Sequence, residues 1–101
     1  VANNTTVDMT SKNLYPAFTL TESSAVIALA KAATNALNLS PKLTSTGGGS
    51  DANYFNTYNV PCAVLGIGMQ KVHTNEEFIL LEDLYNNAKL ICEIIKTAPY
   101  L

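Results

Sequence analysis

One continuous apolar run, V-P-C-A-V-L at positions 60–65, does most to limit what this chain can fold into. The run does not alternate with polar residues, which is typical of a strand buried on both faces in a parallel sheet. Pro61 is compatible with the start of a strand, and Gly66 and Gly68 end the run. Because such a strand also needs neighbours along its edges, the run predicts a sheet of several strands.

Three other segments are predicted to be extended. Residues 5–9 alternate in polarity, which suits a half-exposed strand. Residues 42–46 form a short strand candidate that leads into a glycine cluster. Between them, residues 14–20 resemble an extended linker around Pro16, since a residue before proline disfavours helix.

The rest of the pattern is helical. Thr21 is predicted to cap a helix with apolar residues at helical spacing, and Asn38 is predicted to end it. Ser50 is a good N-cap for a short helix over residues 51–58. A third helix is predicted over residues 81–96, with acidic residues in its first turn and a lysine in its last.

Strands and helices therefore alternate along the chain, which predicts an α/β fold: a layered sheet with helices packed on it and right-handed crossovers. The chain has fewer strands than such a sheet needs, so we expect the fold to be incomplete in itself. Partner strands could come from a missing part of the same polypeptide, from a second copy in a homo-oligomer, or from a companion chain.

Composition narrows the classes of partner. Hydrophobic residues make up 48% of the chain and charged residues 14%, which excludes intrinsic disorder. The net charge of −2 comes without a basic stripe, so we expect no nucleic-acid partner, and the apolar stretches are too short to predict a membrane span. The polar start without Met indicates an internal start and not a signal peptide. Cys62 and Cys92 stand alone in apolar runs, which predicts buried, reduced thiols and a cytoplasmic setting.

The first polar segment that could carry chemistry runs from Gly47 to Asn53. Its three glycines allow close approach of the backbone to a ligand, and the helix start beyond them would favour an anion. Alternatively, the glycines only turn the chain and Asp51 only stabilises the first helical turn. The spacing matches neither the P-loop nor the dinucleotide-binding motif.

The second polar segment begins at His73, the only histidine. Imidazole is a common zinc ligand, and the position after a strand is where open α/β sheets present ligands. A surface or capping histidine is the alternative, because no second histidine accompanies it. Glu76 and Glu77 could hold His73 or open the last helix. Ser50 and Cys62 are weak nucleophile candidates, since they have no activating base other than this histidine.

Several motifs together carry a family resemblance. They are T-G-G-G-S-D-A-N at 46–53, N-V-P at 59–61, L-G-I-G at 65–68, K-V-H-T-N-E-E at 71–77 and L-E-D-L at 81–84. With Y-P-A-F at 15–18 and the helix after it, they resemble the carboxy-terminal part of peptidase T-like metallopeptidases. These belong to the dinuclear zinc exopeptidases, which also include aminoacylase and glutamate carboxypeptidase.

The resemblance implies a domain organisation. In that family a catalytic α/β domain is interrupted by a smaller lid domain, after which the chain returns to complete the catalytic domain. Residues 1–15 would be the last lid strand and its exit. Residues 16–101 would be the returning carboxy-terminal segment of the catalytic domain, and the amino-terminal catalytic segment would be a missing partner.

The resemblance also implies site residues. His73 matches the last metal ligand of a site that holds two zinc ions in the complete enzyme, so this chain would supply at most a partial site. The glycine loop would lie beside the pocket for a small peptide substrate and contact it through backbone groups. The substrate-binding residues expected on this basis are Gly48, Gly49, Ser50, Asp51 and Asn53.

The other metal ligands and the general base come from the family's amino-terminal half, so no catalytic residue is expected in this chain. The leading hypothesis is therefore a fragment of a zinc-dependent aminopeptidase or tripeptidase that hydrolyses small peptides by a metal-activated water and is inactive alone. The alternative is a non-catalytic α/β module that serves binding or assembly.

Overall fold

The structure is a computed structural model that describes residues 3–100. It contains helix α1 (Ala25–Ala36), helix α2 (Asp51–Thr57) and helix α3 (Leu81–Thr97), which continues into a 3-10 turn at Ala98–Tyr100. Between α2 and α3, an isolated antiparallel bridge pairs Gln70 with Phe78.

The predicted layered sheet is not confirmed. Residues 3–100 contain no regular strand, and the segments predicted as strands, 5–9, 42–46 and 60–65, lie outside regular secondary structure. Two of their valines, Val7 and Val64, are 82% and 58% exposed. A strand needs a second strand to exchange ladder hydrogen bonds with. Within the described part of the chain, no segment is placed to do so.

Helix α1 begins later than expected. The prediction that Thr21 caps it is wrong, because the N-cap residue is Ser24. The Ser24 N–H instead donates to the Thr21 carbonyl at 3.0 Å, so Thr21 forms a turn before the helix. In that turn Glu22 lies 2.6 Å from the Lys31 ammonium. The hydrogen bond from Lys31, together with its charge, lowers the pKa of the Glu22 carboxyl.

The end of α1 follows the prediction. Asn38 adopts a left-handed conformation, with φ of +55°, just beyond the helix. Its N–H donates to the Asn35 carbonyl at 3.0 Å, and the Leu39 N–H donates to the Thr34 carbonyl at 2.9 Å. These two bonds form a Schellman motif, which satisfies carbonyls that the helix leaves without partners.

Helices α2 and α3 are confirmed to within one residue. Ser50 is the N-cap of α2, and α3 has Glu82 and Asp83 in its first turn and Lys96 in its last. The charges of α3 complement its dipole at both ends. None of the described helices is long and apolar enough to cross a membrane.

The buried core is small and lies mainly where α1 packs against α3. Among the described residues, the buried apolar side chains are those of Ile27, Ala33, Ala52 and Leu90. Cys62 is half-buried and Cys92 is exposed, so the expectation that both thiols are buried is wrong, although both are free. The radius of gyration is 18.6 Å, against about 13 Å for a compact chain of this length.

The shape is that of a thin slab, with principal extents of 64 × 36 × 17 Å. Large apolar side chains are exposed on it, among them Leu81 and Ile95 of α3 at 81% and 66%. Globular domains bury such surfaces by packing at least two layers together. The described residues thus form one thin layer with an uncovered apolar surface.

Enlarging Ala33 tests the packing of α1 on α3. Ala33 is 0% exposed, so Ala33→Leu should overpack the interface and lower the free energy of unfolding by about 1–3 kcal/mol. Ala36→Leu makes the same change at an exposed position of the same helix and should stay within about 0.5 kcal/mol of the parent. Urea unfolding measures both. Equal midpoints for the two variants would show that Ala33 is not packed.

The exposed apolar surface predicts association of this chain when it is produced alone. Sedimentation velocity should show a weight-average mass that rises with concentration. Ile95→Glu places a charge on one of the exposed apolar positions and should weaken this association. A monodisperse monomer at high concentration would contradict the prediction.

Candidate functional site

The glycine loop, residues 46–51, is built from bonds within itself and the first turn of α2. The Gly48 N–H donates to Thr46 Oγ1 at 3.2 Å. Ser50 is extended, with φ of −152° and ψ of 174°, and its N–H donates to Asn53 Oδ1 at 2.9 Å. The Asn53 N–H in turn donates to the Ser50 carbonyl at 3.0 Å. These reciprocal bonds fix where the loop ends and the helix begins.

The expected substrate-binding residues are not equivalent in this loop. Gly48, Gly49, Ser50 and Asp51 are exposed, whereas Asn53 is only 6% exposed. The amides of Gly48 and Ser50 already donate inside the loop. In this conformation these two amides and the Ser50 carbonyl are occupied, while Asp51 is exposed.

The chain beyond α2 is held by a second asparagine. Asn56 Nδ2 donates to the carbonyls of Ala52 and Cys62 at 2.7 and 2.8 Å, and Asn56 Oδ1 accepts the Cys62 N–H at 3.3 Å. Asn59, with φ of +59°, ends α2. The apolar run at 60–65 is thereby anchored to α2 by side-chain bonds in the absence of strand pairing among the described residues.

His73 lies in a closed turn, residues 70–78. The Gln70 N–H donates to the Phe78 carbonyl at 2.9 Å, and the Phe78 N–H donates back at 3.1 Å, which closes the turn. Inside it, Thr74 Oγ1 donates to the Lys71 carbonyl at 2.7 Å. This turn is the only described place where two chain segments pair as neighbouring strands do.

The backbone at His73 is left-handed, with φ of +64°. Residues other than glycine adopt this conformation at a cost, so it persists where neighbouring groups hold it. The Glu77 carboxylate does so here, because Oε2 accepts the His73 N–H at 2.8 Å. Lys71 and Glu76 form a further ion pair across the turn at 2.8 Å, and both side chains are exposed. His73 is therefore exposed in a turn that is held by the Glu77 carboxylate and by the Lys71–Glu76 ion pair.

Helix α3 positions the segment that enters the turn. Asn87 Nδ2 donates to the Ile67 carbonyl at 2.8 Å. Gly68 follows with φ of +89°, and a Cβ there would lie 2.9 Å from Asp83 Oδ2. A glycine is required at this position both for its φ and for the close approach of α3.

His73 alone does not make a metal site. Its exposed imidazole has the right chemistry for one zinc ligand, but a structural site needs four and a catalytic site three from protein. The described residues contain no cluster of three or more histidine, cysteine, aspartate or glutamate side chains that could hold an ion. Among residues 3–100, no hydrogen bond joins the turn of His73 to the glycine loop. Within the described residues, the two predicted segments are thus two separate loops.

Three contacts join residues too far apart in the sequence to be predicted from it. Asn53 Nδ2 donates to the Pro16 carbonyl at 2.8 Å across 37 positions of the chain, and the Tyr54 hydroxyl donates to the Leu14 carbonyl. The Tyr15 ring covers Gly49 so closely that a Cβ on this glycine would overlap it. The sequence shows a glycine at position 49, but it does not show that the Tyr15 ring packs against it.

Comparisons with known proteins identify the family of this chain. Residues 4–97 match peptidase family M20/M25/M40. An uncharacterized metallohydrolase of Methanocaldococcus jannaschii, MJ0457, is 38% identical over 87 residues, which are 84% of this chain and 21% of that protein.

Two solved structures are also similar. Aminopeptidase PepT from Bacillus cereus has a TM-score of 0.75 at 36% identity, over 80% of this chain and 22% of that one. A tripeptidase from Staphylococcus aureus has a TM-score of 0.80 at 34% identity, over 86% of this chain and 23% of that one. The chain spans less than a quarter of the length of these relatives. Since the family match takes in nearly all of the described residues, the chain belongs to the peptidase family M20/M25/M40 and is peptidase T-like.

Proposed function

We propose that this chain is the carboxy-terminal part of a zinc-dependent exopeptidase, an aminopeptidase or tripeptidase that hydrolyses small peptides. The observation that carries the proposal is the likeness to the Staphylococcus aureus tripeptidase, with a TM-score of 0.80 at 34% identity over 86% of the chain. The likeness to an aminopeptidase supports the same substrate class.

The same proposal assigns the domains. Residues 1–15 are the last strand and exit of a lid domain, and residues 16–101 complete a catalytic domain that a separate amino-terminal segment begins. The thin slab and its exposed apolar side chains support this assignment, because that segment would supply the facing layer and the partner strands.

Within this proposal His73 is one metal ligand, contributed to a site of two zinc ions. The fixed turn supports it, since an imidazole held by a rigid backbone loses less freedom when it binds. When bound, such ions lower the pKa of a coordinated water so that it can attack a peptide carbonyl at neutral pH. The remaining ligands and the general base are assigned to the amino-terminal segment, so this chain by itself is proposed to be inactive.

The substrate is proposed to lie along the glycine loop. Gly48, Gly49, Ser50 and Asp51 are exposed there and would contact the peptide, through backbone groups for the most part. Because the amides of Gly48 and Ser50 donate within the loop and the Ser50 carbonyl already accepts the Asn53 N–H, we assign the contact at Gly48 to its carbonyl group. Asn53 is also assigned to this site, as a residue that positions the loop.

The proposed setting is the cytoplasm, on the ground that both cysteines are free thiols. A homo-oligomer remains a proposal that rests on the exposed apolar surface. A non-catalytic module for binding or assembly is the alternative to the enzyme, and the first experiment below separates the two.

The proposal is tested on the full-length protein, with the amino-terminal segment present. It should hydrolyse di- and tripeptides with a free amino terminus and lose this activity to a chelator. His73→Ala should lower kcat/KM by more than about 100-fold and reduce bound zinc, since it removes a ligand itself. Asn75→Ala changes an exposed neighbour in the same turn and should leave both unchanged.

Two outcomes would contradict this proposal. Full-length protein that binds zinc but cleaves no peptide would favour the non-catalytic module. Micromolar or tighter zinc binding by the monomeric isolated chain, lost on His73→Ala, would show that this chain holds a complete site.

Substitutions at Glu77 test whether its carboxylate positions His73. Glu77→Ala removes the acceptor of the His73 N–H and should weaken zinc binding about 10–100-fold, as measured by competition with a chromophoric chelator. Glu77→Gln retains an acceptor and should lose less. Glu76→Ala breaks only an exposed ion pair with Lys71 and should have little effect. Equal losses for Glu77→Gln and Glu77→Ala would show that charge, and not the hydrogen bond, is what matters.

A further inference from the structure

The segment Leu14–Pro16 is fastened to the glycine loop and to α2 at three points. Asn53 Nδ2 donates to the Pro16 carbonyl at 2.8 Å, and the Tyr54 hydroxyl donates to the Leu14 carbonyl. The Tyr15 ring, between these two points, lies over Gly49. The contacts therefore involve both the loop and the helix that follows it.

Asn53 is the central member of this cluster. Its side chain is one of the few buried polar groups of the described chain, at 6% exposure. The carbonyl half of its amide accepts the Ser50 N–H at 2.9 Å, while the amino half donates to Pro16 at 2.8 Å. One planar group thus bonds the loop on one side and the segment on the other, so neither can shift without breaking a bond or moving the other.

Gly49 adds a second, steric connection. A Cβ built on Gly49 would overlap the Tyr15 ring, so the ring can lie over the loop only because no side chain is present there. The two connections reach the loop on different residues, which restrains its orientation as well as its distance from the segment.

We propose that Asn53 is a positioning residue that couples the exit of the lid, at Leu14–Pro16, to the conformation of the substrate loop. The inference rests on the proposed function, because it takes residues 1–15 as the last strand and exit of the lid and the glycine loop as a part of the substrate site. A displacement of the lid would pull on Pro16 and, through the Asn53 amide, on Ser50. Asn53 would then act on the peptide through the loop and without touching it.

A purely local role for Asn53 makes a different prediction, and Asn53→Asp separates the two. The aspartate keeps an oxygen that can accept the Ser50 N–H, so capping of α2 survives. It loses the N–H donor to Pro16 and places a carboxylate against that carbonyl. A capping role predicts a protein like the parent, whereas coupling predicts a changed loop.

Asn56→Asp is the matched control. Asn56 lies in the same helix and also uses its amide to bond a distant backbone segment, at Cys62. The same chemical change there should cost comparable stability and leave the connection to Leu14–Pro16 intact. Any effect confined to Asn53→Asp is then not a consequence of weakening α2.

The experiment uses full-length protein with two readouts. Kinetics on a tripeptide should show KM raised about tenfold in Asn53→Asp with a smaller change in kcat, and near-parent values in Asn56→Asp. Hydrogen exchange should show faster deuterium uptake in residues 14–20 and 46–51 for Asn53→Asp only. Should Asn53→Asp not fold, Tyr54→Phe removes just the hydroxyl that holds Leu14, with exposed Tyr58→Phe as its control, and should move both readouts in the same direction.

The outcomes are distinguishable. Unchanged KM and unchanged exchange at 14–20 in Asn53→Asp, or equal changes in Asn56→Asp, overturn the coupling. Absence of peptidase activity in the parent protein overturns the proposed function instead, and the exchange measurement still decides whether Asn53 ties the two segments.

Discussion

Every backbone N–H and C=O group that leaves water needs a hydrogen-bond partner, and this requirement governs which parts of the chain have regular structure. A helix satisfies most of its groups within itself, whereas a strand depends on a neighbour. Helices α1, α2 and α3 accordingly form, while residues 60–65 do not pair, although their composition is that of a buried strand. The segment is held instead by Asn56, through both halves of its amide, and by the Val60 N–H, which donates to the Phe55 carbonyl at 2.9 Å.

The same requirement explains why the glycine loop and the turn around His73 are well defined in so thin a structure. The turn around His73 closes on itself through Gln70 and Phe78, and Glu77 accepts the histidine amide. The glycine loop ends in the exchange of bonds between Ser50 and Asn53. In both segments, bonds between residues close in the sequence hold the backbone where the segment closes or ends.

Local bonding also decides what the sequence could predict. Ser50 and Asn53 are three residues apart, so the N-cap of α2 followed from spacing, as did the end of α1 at Asn38. The start of α1 did not, because Thr21 and Ser24 both belong to the residue types that cap helices, and the observed turn selects Ser24. The contact of Asn53 with Pro16 spans 37 positions, and no periodicity or motif relates residues so far apart. The layered sheet was inferred from strand composition alone, which cannot supply a partner strand.

The contacts between residues far apart in the sequence are therefore the part of this structure that its motifs do not predict. The glycine loop and the His73 turn share no hydrogen bond among the described residues, so other parts of the chain must hold each of them in place. For the His73 turn this part is α3, which holds the segment before the turn through Asn87 and through the close approach of Asp83 to Gly68. For the loop it is the segment Leu14–Pro16, through Asn53 and the Tyr15 ring. Within the described residues, the His73 turn is thus held by a long helix, and the glycine loop is held by the segment Leu14–Pro16. On the proposal that this segment is the exit of a lid, a lid that moves would shift the loop relative to the turn.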